Sequence, residues 1–468
     1  MEILTNPIVV SVIVMSVLCL LKMNVLFAIL VAAIVAGATG GLAIDKTVSI
    51  LIGGMGGNSE TALSYILLGT LAVAIGRSGL ADIAARKITK VVGTKKTAFV
   101  FLIAFVACFS QNLIPVHIAF IPILIPPLLV VMNHMKLDRR AVACALTFGL
   151  KAPYVSLPVG FGLLFMTIIK DQMVANNVMV SISDISSVMW IGGASMLVGL
   201  ILSTIFYSRD REYKDLPIMG QDEKAGETEM NADCWKALAG AVAAFVAQLY
   251  FKSLPIGAMC GLLVMLVTGS IKWNKMDEMV DGGVKMMGFI AFVMLVAAGY
   301  ANVLRETHSV ESLVMATTAV INTKFSGAFL MLAVGLLITM GIGTSFGTIP
   351  VVASIYIPMG LKLGFGIPAI ILLIGIAAAL GDAGSPASDS TLGPTSGLNA
   401  DGQHNHIWDT CVPTFIFFDV TLFIGGLIGA MILGRIVWGI TMVVISGVSG
   451  SAFTWSAFIA GALLNAVP

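Results

Sequence analysis

The side chains best suited to chemistry are gathered in an interrupted stretch that directly follows an apolar run. Residues 381–391 read Gly-Asp-Ala-Gly-Ser-Pro-Ala-Ser-Asp-Ser-Thr and come straight after Ile367–Leu380. A carboxylate at the centre of a bilayer costs about 2.5–3.5 kcal/mol and is usually retained for function. Hard oxygens of this kind suit a cation such as Na⁺, although a polar loop beyond the helix would use the same residues as turn formers. The candidate ligands are two carboxylates and four hydroxyls: Asp382, Asp389, Ser385, Ser388, Ser390 and Thr391.

A single lysine lies in a second interrupted apolar segment. Lys151 belongs to Gly149–Pro158, which contains Pro153, and uncharged residues flank it on both sides. Three roles are open to a lysine at this depth: pairing with Asp382 or Asp389, holding the carboxylate of a substrate, or carrying a proton. A lysine that snorkels to the membrane surface is the alternative.

Two longer apolar segments, Thr97–Asn133 and Ser326–Leu361, have polar, helix-breaking centres. Each is too long for one crossing of a bilayer, which predicts a hairpin whose tip lies at membrane depth. The tip side chains are oxygen donors that could face one another around a cation, or they could simply cap the hairpins. These side chains are Ser110, Gln111 and Asn112 in the first segment, and Thr344, Ser345 and Thr348 in the second.

These stretches together give a predicted set of ligands and proton carriers. Asp419 joins the carriers because it lies inside the apolar run Cys411–Leu433, although pairing with a neighbouring helix would also explain it. The predicted Na⁺ ligands are Asp382, Ser385, Asp389 and Asn112. The predicted proton carriers are Asp382, Asp389 and Asp419.

The composition requires a lipid environment for these residues. Of 468 residues, 58% are hydrophobic and 11% charged, against about 25% charged in soluble domains. Successive apolar runs predict an all-α polytopic membrane protein with about 10–12 transmembrane helices. The six cysteines form no CxxC pair and no Walker A pattern is present, so neither a zinc site nor ATP hydrolysis is indicated. We therefore expect neither an enzyme nor a cofactor.

The two halves of the chain repeat one order of features. Ile114-Pro115-Val116 is echoed by Ile349-Pro350-Val351, and Ala152-Pro153 by Ser385-Pro386, at an offset near 235 residues. This predicts two repeats, each with a re-entrant hairpin and a broken helix. The predicted domains are 1–60 (scaffold helices), 61–187 (first repeat, with hairpin 97–133 and broken helix 141–169), 188–286 (linking helices with loop 208–235), 287–410 (second repeat, with hairpin 326–361 and broken helix 367–391) and 411–468 (C-terminal helices).

Charge placement predicts that the repeats are inverted. The segment 77–96 carries six basic residues against Asp82 alone, whereas its counterpart 305–324 is neutral. Because cytoplasmic loops are rich in Lys and Arg, the first hairpin should enter from the cytoplasm and the second from outside. Inverted repeats with interrupted helices are typical of carriers whose binding site lies near the midplane. We expect a multi-pass protein of the bacterial inner membrane.

Two motifs resemble the NhaC-type sodium/proton antiporter family of the ion transporter superfamily. They are Gly-x-Gly-Thr-Ser-Phe-Gly-Thr-x-Pro at Gly341–Pro350 and Gly-Asp-x-x-Ser-Pro-x-Ser-Asp-Ser at Gly381–Ser390. The resemblance implies a scaffold with a moving transport domain, elevator-like exchange and a homodimer. Carried over by position, it implies an ion and substrate site built from Ser110–Asn112, Gly343–Ser345, Lys151–Ser156 (including Ser156) and Asp382–Asp389.

The leading hypothesis is sodium/proton exchange, in which Asp382 and Asp389 bind either Na⁺ or H⁺. The alternative is sodium- or proton-coupled transport of an amino acid such as histidine or a basic amino acid, with Lys151 on its carboxylate. The expected partners are the lipid bilayer and the small solute, with no nucleic acid.

Overall fold

The chain folds as a succession of helices. A computed structural model describes residues 4–80, 83, 95–112, 120–218, 230–251, 253–318 and 323–433, without the side chains of 110–112, 120, 123, 249 and 314. Within those ranges no residue lies in a β-strand. The predicted all-α class is therefore confirmed for the part of the chain that the structure describes.

Nine helices are seen in the described residues of the first half. The N-termini of several are fixed by capping side chains; Asn24 Oδ1, for example, accepts a hydrogen bond from Leu26 N at 3.0 Å. The helices are α1 (Pro7–Leu20), α2 (Val25–Thr39), α3 (Ile44–Gly54), α4 (Ser59–Arg77), α5 (Lys96–Asn112), α6 (Phe120–His134), α7 (Arg139–Ser156), α8 (Phe161–Ala175) and α9 (Ile182–Phe206).

Between residues 230 and 433, nine more helices are seen in the ranges that the structure describes. They are α10 (Ala232–Phe251), α11 (Leu254–Val267), α12 (Met276–Glu306), α13 (Ser309–Thr318), α14 (Lys324–Ile342), α15 (Ser345–Lys362), α16 (Ile367–Ala379), α17 (Asp389–Leu398) and α18 (His406–Leu433). The last begins with two π-helical stretches, His406–Cys411 and Phe415–Asp419.

Length and composition fit a multi-pass membrane protein. Within the described ranges, five helices are long and apolar enough to span a bilayer, and α7 with α8, bent by 45°, would make a sixth. Further apolar helices of 10–17 residues accompany them, including α1, α2, α11 and α16. The long spans are Ile44–Arg77, Ile182–Phe206, Trp273–Glu306, Lys324–Ile342 and His406–Leu433.

The packing brings parts of the two halves together. Helix α12 packs along α4, α2 and α3, while α5 packs on α7 and α14 on α16. Helix α9 contacts both α7 and α16, and α17 packs against α6 and α7. Among the described residues, each half contains a long helix (α4 or α12), a later pair of helices (α5 and α6, or α14 and α15) and a helix that ends at a break (α7 or α16). The repeat itself stays a prediction, and so does its inversion across the membrane.

The first broken helix is interrupted at the end of the stretch Gly149–Pro158, where an interruption was expected. Helix α7 continues through Pro153 to Ser156. Leu157 N still bonds to Pro153 O at 2.7 Å, and Leu157 is extended because Pro158 follows it. Gly160 then adopts φ +57° before α8 begins. Lys151 therefore lies on an intact helix rather than at a break.

Several predicted domain boundaries fall inside helices. The boundary at 60–61 lies in α4, that at 187–188 in α9, that at 286–287 in α12 and that at 410–411 in α18. Apolar runs reveal only the lipid-facing part of a helix, so the polar first turns of α12, for example, were not recognised. The part of the C-terminal segment after 433, and residues 113–119 between α5 and α6, lie outside the described residues.

Candidate functional site

Asp382 is the centre of a buried polar cluster. It lies in the break between α16 and α17, and its side chain is only 3% exposed. Lys151 Nζ and Ser345 Oγ both donate to Asp382 Oδ2, and Ser388 Oγ donates to Oδ1. Tyr154 Oη hydrogen-bonds to Ser345 Oγ and lies 3.5 Å from Oδ2. The Asp382 carboxylate therefore links four segments: α7, the start of α15, the break and the start of α17.

The backbone of the break is shaped to present Asp382. Helix α16 ends at Ala379, and Gly381 adopts φ +79°, where a Cβ would lie 2.7 Å from Leu336 O. Only glycine fits such a left-handed position so close to another backbone. Downstream, Ser388 caps α17 by accepting from Ser390 N at 3.2 Å. The break is therefore held at both ends by local interactions.

Two further hydroxyls of the candidate stretch support the backbone of the break. Ser390 Oγ donates to the backbone oxygen of Asp382 at 2.6 Å, and Thr391 Oγ1 donates to Ser385 O at 2.6 Å. Thr147 on α7 reaches across to Ser390 O at 3.0 Å. These bonds satisfy backbone oxygens that a broken helix leaves without intrahelical partners.

Lys151 balances one of two neighbouring carboxylates. Beyond its contact with Asp382, Lys151 Nζ lies 3.8 Å from Asp389 Oδ1 and 5.0 Å from the ring centre of Tyr154. The Lys151 side chain is 6% exposed, which rules out snorkelling, whereas that of Asp389 is 22% exposed. Pairing with acids is thus the role that the structure shows. With both acids ionised, this trio carries a net charge of −1.

Other predicted ligands do not join the cluster. Ser385 Oγ bonds to Met340 O at 3.4 Å and to Ala387 N at 3.2 Å, and so it braces the break instead of facing Asp382. Ser156 Oγ donates to Ala152 O at 2.5 Å and lies against Gly193 of α9. Thr344 is exposed, and no side-chain hydrogen bond to Asp382 is seen for it in the described part of the chain. In the structure these three side chains lie outside the hydrogen-bonded cluster, and their predicted roles as ligands stay predictions.

The first hairpin tip cannot be placed against this cluster. Ser110, Gln111 and Asn112 form the last turn of α5, but their side chains lie outside the described residues. Their predicted roles as ligands stay predictions. In the second hairpin, Ser345 is the first residue of α15, directly after Gly343 with φ +75° and Thr344.

Asp419 supports the break from the far side. It lies at the end of the second π-helical stretch of α18 and is 2% exposed. Asp419 Oδ1 accepts from Gly381 N at 3.0 Å, while Oδ2 is without a hydrogen-bond partner among the described residues. A Cβ on Gly384 would lie 2.5 Å from that oxygen. The Asp419 carboxyl group is therefore connected to the cluster through Gly381, the residue that precedes Asp382.

Residues 145–431 match the Na⁺/H⁺ antiporter family, and residues 6–92 match a second Na⁺-H⁺ antiporter family. The chain belongs to the Na⁺/H⁺ antiporter family. Membership makes it an ion-coupled transporter of the bacterial cell membrane, as predicted, and indicates a transporter rather than an enzyme. The matches identify the Na⁺/H⁺ antiporter family but not the NhaC type within it, which stays a prediction.

Members from other bacteria cover almost the same length. "Putative amino acid transporter YuiF" of Bacillus subtilis is 48% identical over 448 residues, spanning 92% of this chain and all of the relative. An uncharacterized membrane protein of Haemophilus influenzae is 44% identical over 452 residues, again 92% of this chain and all of the relative.

Solved structures of two transporters show a weaker likeness. MtrF of Neisseria gonorrhoeae, described as one of a class of antimetabolite efflux pumps, has a TM-score of 0.42 at 15% identity, over 84% of this chain and 85% of the other. The YdaH transporter of Alcanivorax borkumensis has a TM-score of 0.40 at 15% identity, over 84% and 88%.

The site was predicted from charged residues that lie in apolar stretches of the sequence. Tyr154 lies within the implied stretch Lys151–Ser156 but was not named by itself, although it follows Lys151 by three residues on the same face of α7. A metal centre with three or more His, Cys, Asp or Glu side chains is absent from the described ranges. Any cation held here would be bound mainly by hydroxyl and carbonyl oxygens with one or two carboxylates.

Proposed function

We propose that this chain exchanges sodium ions for protons across the bacterial inner membrane. The observation that carries the proposal is the charge of the buried cluster: Lys151 offsets one carboxylate, whereas Asp382 and Asp389 supply two. An uncompensated charge in a low-dielectric interior is costly. A single bound cation, either Na⁺ or H⁺, would neutralise the cluster, and the two would compete for it.

Asp389 is the favoured place for the exchanged cation. Asp382 already receives donors on both oxygens, whereas Asp389 is more exposed and lies farther from Lys151. Ser388 Oγ, 3.5 Å from Asp389 Oδ1, adds a neutral oxygen beside it. We therefore propose that Asp389 and Ser388 bind the sodium ion and that Asp382 lies next to it. Ser385 is not part of this proposed set. Protonation of Asp389 removes the charge that attracts sodium, which is the basis of the exchange.

Transport requires that this cluster open to each side in turn. The two broken helices and the paired helices α14 and α15 converge on it, and in the proposal they move as a unit in an elevator-like manner. The NhaC-type assignment, the inverted repeat and a homodimer are parts of the same proposal. The free ends of α16 and α17 inside the molecule support it, since half-helices place backbone dipoles at a midplane site.

Neutralising either acid tests the assignment. Asp382→Asn and Asp389→Asn should each abolish sodium-dependent proton movement in proteoliposomes, measured with an internal pH-sensitive dye. Asp171→Asn is the matched control, because Asp171 is an exposed acid on α8; it should exchange at the wild-type rate. Wild-type exchange in both site variants would refute the assignment.

Amino-acid transport is the second candidate function. Lys151 could meet the carboxylate of a substrate, and the 48% identical relative from Bacillus subtilis is named as a putative amino acid transporter. The net charge of −1 suits a basic amino acid, or a zwitterion together with one Na⁺ or H⁺. Uptake from a panel of radiolabelled amino acids, with and without a sodium gradient, separates the two: sodium-driven accumulation of one amino acid supports this candidate over simple exchange.

A further inference from the structure

Helix α18 holds the break between α16 and α17 at two points. Before Asp382, the carboxylate of Asp419 accepts a hydrogen bond from Gly381 N at 3.0 Å. After Asp382, the imidazole of His406 binds the backbone oxygen of Pro386, with Nε2 and that oxygen 2.9 Å apart. The two contacts lie on either side of the acid at the centre of the cluster, so α18 acts on the backbone that carries it.

Each contact comes from one of the two π-helical stretches of α18. His406 is the first residue of His406–Cys411, and Asp419 is the last residue of Phe415–Asp419. Short π-helical stretches inside α-helices are rare and occur frequently at functional sites. An irregularity of this kind at both contact residues indicates that α18 is shaped to reach the break.

Pro386 can be held through its carbonyl group alone. Proline has no backbone N–H, and its ring fixes φ. The backbone oxygens of Asp382 and Ser385, in the same break, are bound by hydroxyls of α17 itself. The Pro386 oxygen is bound instead by a side chain from another helix, which makes His406 the link between α18 and this part of the break.

The hydrogen bonds fix the state of the imidazole ring. Because a carbonyl oxygen only accepts, His406 Nε2 carries the proton in its bond to Pro386. Nδ1 lies 2.8 Å from Thr395 Oγ1 on α17, and this hydroxyl can donate to the unprotonated nitrogen of a neutral ring. Both nitrogens are thereby used, one on the break and one on the helix that follows it, so the ring is held in one orientation.

The Pro386 peptide leads directly to the proposed sodium ligands. Ser388 follows it by two residues, donates to Asp382 Oδ1 and lies 3.5 Å from Asp389 Oδ1. Ser388 is also the N-cap of α17. A shift of the Pro386 carbonyl group would therefore move the Ser388 hydroxyl relative to both acids.

We propose that His406 is a positioning residue of the sodium site, which holds Pro386 O and thereby sets the places of Ser388 and Asp389. The inference rests on the proposed function and adds to it a residue that acts through the backbone rather than as a ligand. Asp419, in the other π-helical stretch, holds the opposite end of the break. The two stretches of α18 thus form a clamp on the segment between these contacts.

Two substitutions of His406 test the inference. In purified full-length His406→Leu, which cannot donate to Pro386 O, we expect the sodium Kd to rise about tenfold, the size of effect that one lost hydrogen bond has on affinity. His406→Gln keeps an N–H donor near the end of the side chain, and its Kd should stay within about twofold of the wild-type value. The Kd follows from the dependence of the melting temperature on sodium concentration, with choline chloride replacing sodium chloride.

The rescue by glutamine separates positioning from stability. If His406 only stabilised the fold, His406→Leu would lower the melting temperature without sodium and leave the sodium Kd unchanged. His134→Leu is the matched control, because His134 is an exposed histidine at the end of α6. It should leave both the melting temperature and the sodium Kd at their wild-type values.

An unchanged sodium Kd in His406→Leu overturns the inference alone, and so does an equal rise of the Kd in His406→Gln. If His406→Leu does not fold, Thr395→Val takes its place: it removes the partner of Nδ1 and should raise the sodium Kd about threefold. An unchanged Kd in that variant then overturns the inference. If the wild type itself shows no response to sodium, the proposed function falls and the inference with it.

Discussion

At the scale of single residues, the contact between Lys151 and Asp382 determines what the site can bind. Both side chains are almost fully buried, so each would be a costly isolated charge without the other. Because Ser345 and Ser388 also donate to Asp382, that acid is held in place by three neutral or positive donors. Asp389, with a longer contact to Lys151, is left as the acid that can exchange its partner.

The dependence of Lys151 and Asp382 on each other is measurable as a coupling energy. Lys151→Met and Asp382→Asn should each reduce the free energy of unfolding, and Lys151→Met by about 3–5 kcal/mol, because it leaves a buried carboxylate without its cation. The double variant should be more stable than the sum of the two losses predicts. Thermal unfolding in detergent measures this.

Lys46→Met serves as the control for that cycle, since Lys46 is exposed on α3. It should leave the melting temperature within experimental error of the wild type. Strictly additive losses in the Lys151 and Asp382 variants would show that the two groups do not stabilise each other, and the charge argument for the site would fail.

Residue types predicted part of the site and missed the rest for identifiable reasons. Asp382, Asp389 and Lys151 were found because a charge in an apolar run is conspicuous. Tyr154 was not named by itself because a tyrosine in an apolar helix looks like ordinary core, and only the folded structure shows which hydroxyl it contacts. Sequence gives the presence of the Ser385 hydroxyl but not its direction, and in the structure that hydroxyl bonds to Met340 O.

At the scale of the elements, a polar segment after α9 fastens together the ends of several helices. We call the segment Arg209–Asp215 the strap. It crosses the first residue of α5, the end of α6, the start of α7 and the connection before α18. Arg211 Nη1 lies 2.8 Å from Asp409 Oδ1, and Gln403 Nε2 donates to Lys214 O at 2.7 Å. Beneath it, Arg139 makes two bonds to Asp401, at 2.7 and 2.6 Å. Elements of both broken helices are thus joined at this end.

The outer contacts of the strap should be insensitive to physiological pH. The hydrogen bond and the charge of Lys96 lower the pKa of Asp210, and those of Lys136 lower the pKa of Glu212. A carboxyl whose folded pKa is lowered contributes stability above its unfolded pKa and loses it only as the pH falls through the folded value. Both pairs therefore stay charged near neutral pH.

The buried pair beneath the strap is where a substitution should act. Arg139 and Asp401 side chains are 0% and 1% exposed, so Arg139→Gln should cost about 3–5 kcal/mol of stability by leaving a buried carboxylate unpaired. Arg209→Gln, at an exposed position of the same strap, should cost little. Melting temperatures of the two variants test this. Equal melting temperatures would mean that the strap region does not hold the broken helices together.

Helices were predicted well where the length of an apolar run decides their extent. They were predicted poorly where single residues decide at which position a helix begins or ends. The break before α17 was recognised from Gly381 and Pro386. The break after α7 was predicted only as the stretch Gly149–Pro158; the helix tolerates Pro153 and stops where Pro158 forces Leu157 into an extended conformation. Long-range pairs such as Arg139 with Asp401 could not be predicted, because spacing in sequence does not say which helices meet.

At the scale of the whole molecule, the same order of elements occurs in both halves and converges on one acidic cluster. Helices α7 and α16 each lead to a break, and α9 contacts both of them. Such an arrangement allows one site to be reached from either side by a movement of packed helices, without a continuous polar path. In our account the net charge of that site makes sodium and protons alternate in it.

The most direct test of this account is sodium accumulation driven by a proton gradient. Proteoliposomes that contain the wild-type chain are made acidic inside, with the membrane potential clamped at zero, and the uptake of ²²Na⁺ is followed. The account predicts that ²²Na⁺ accumulates above its external concentration and leaves again when an ionophore dissipates the pH difference. Uptake that only reaches the external concentration, and does not respond to the pH difference, would contradict it.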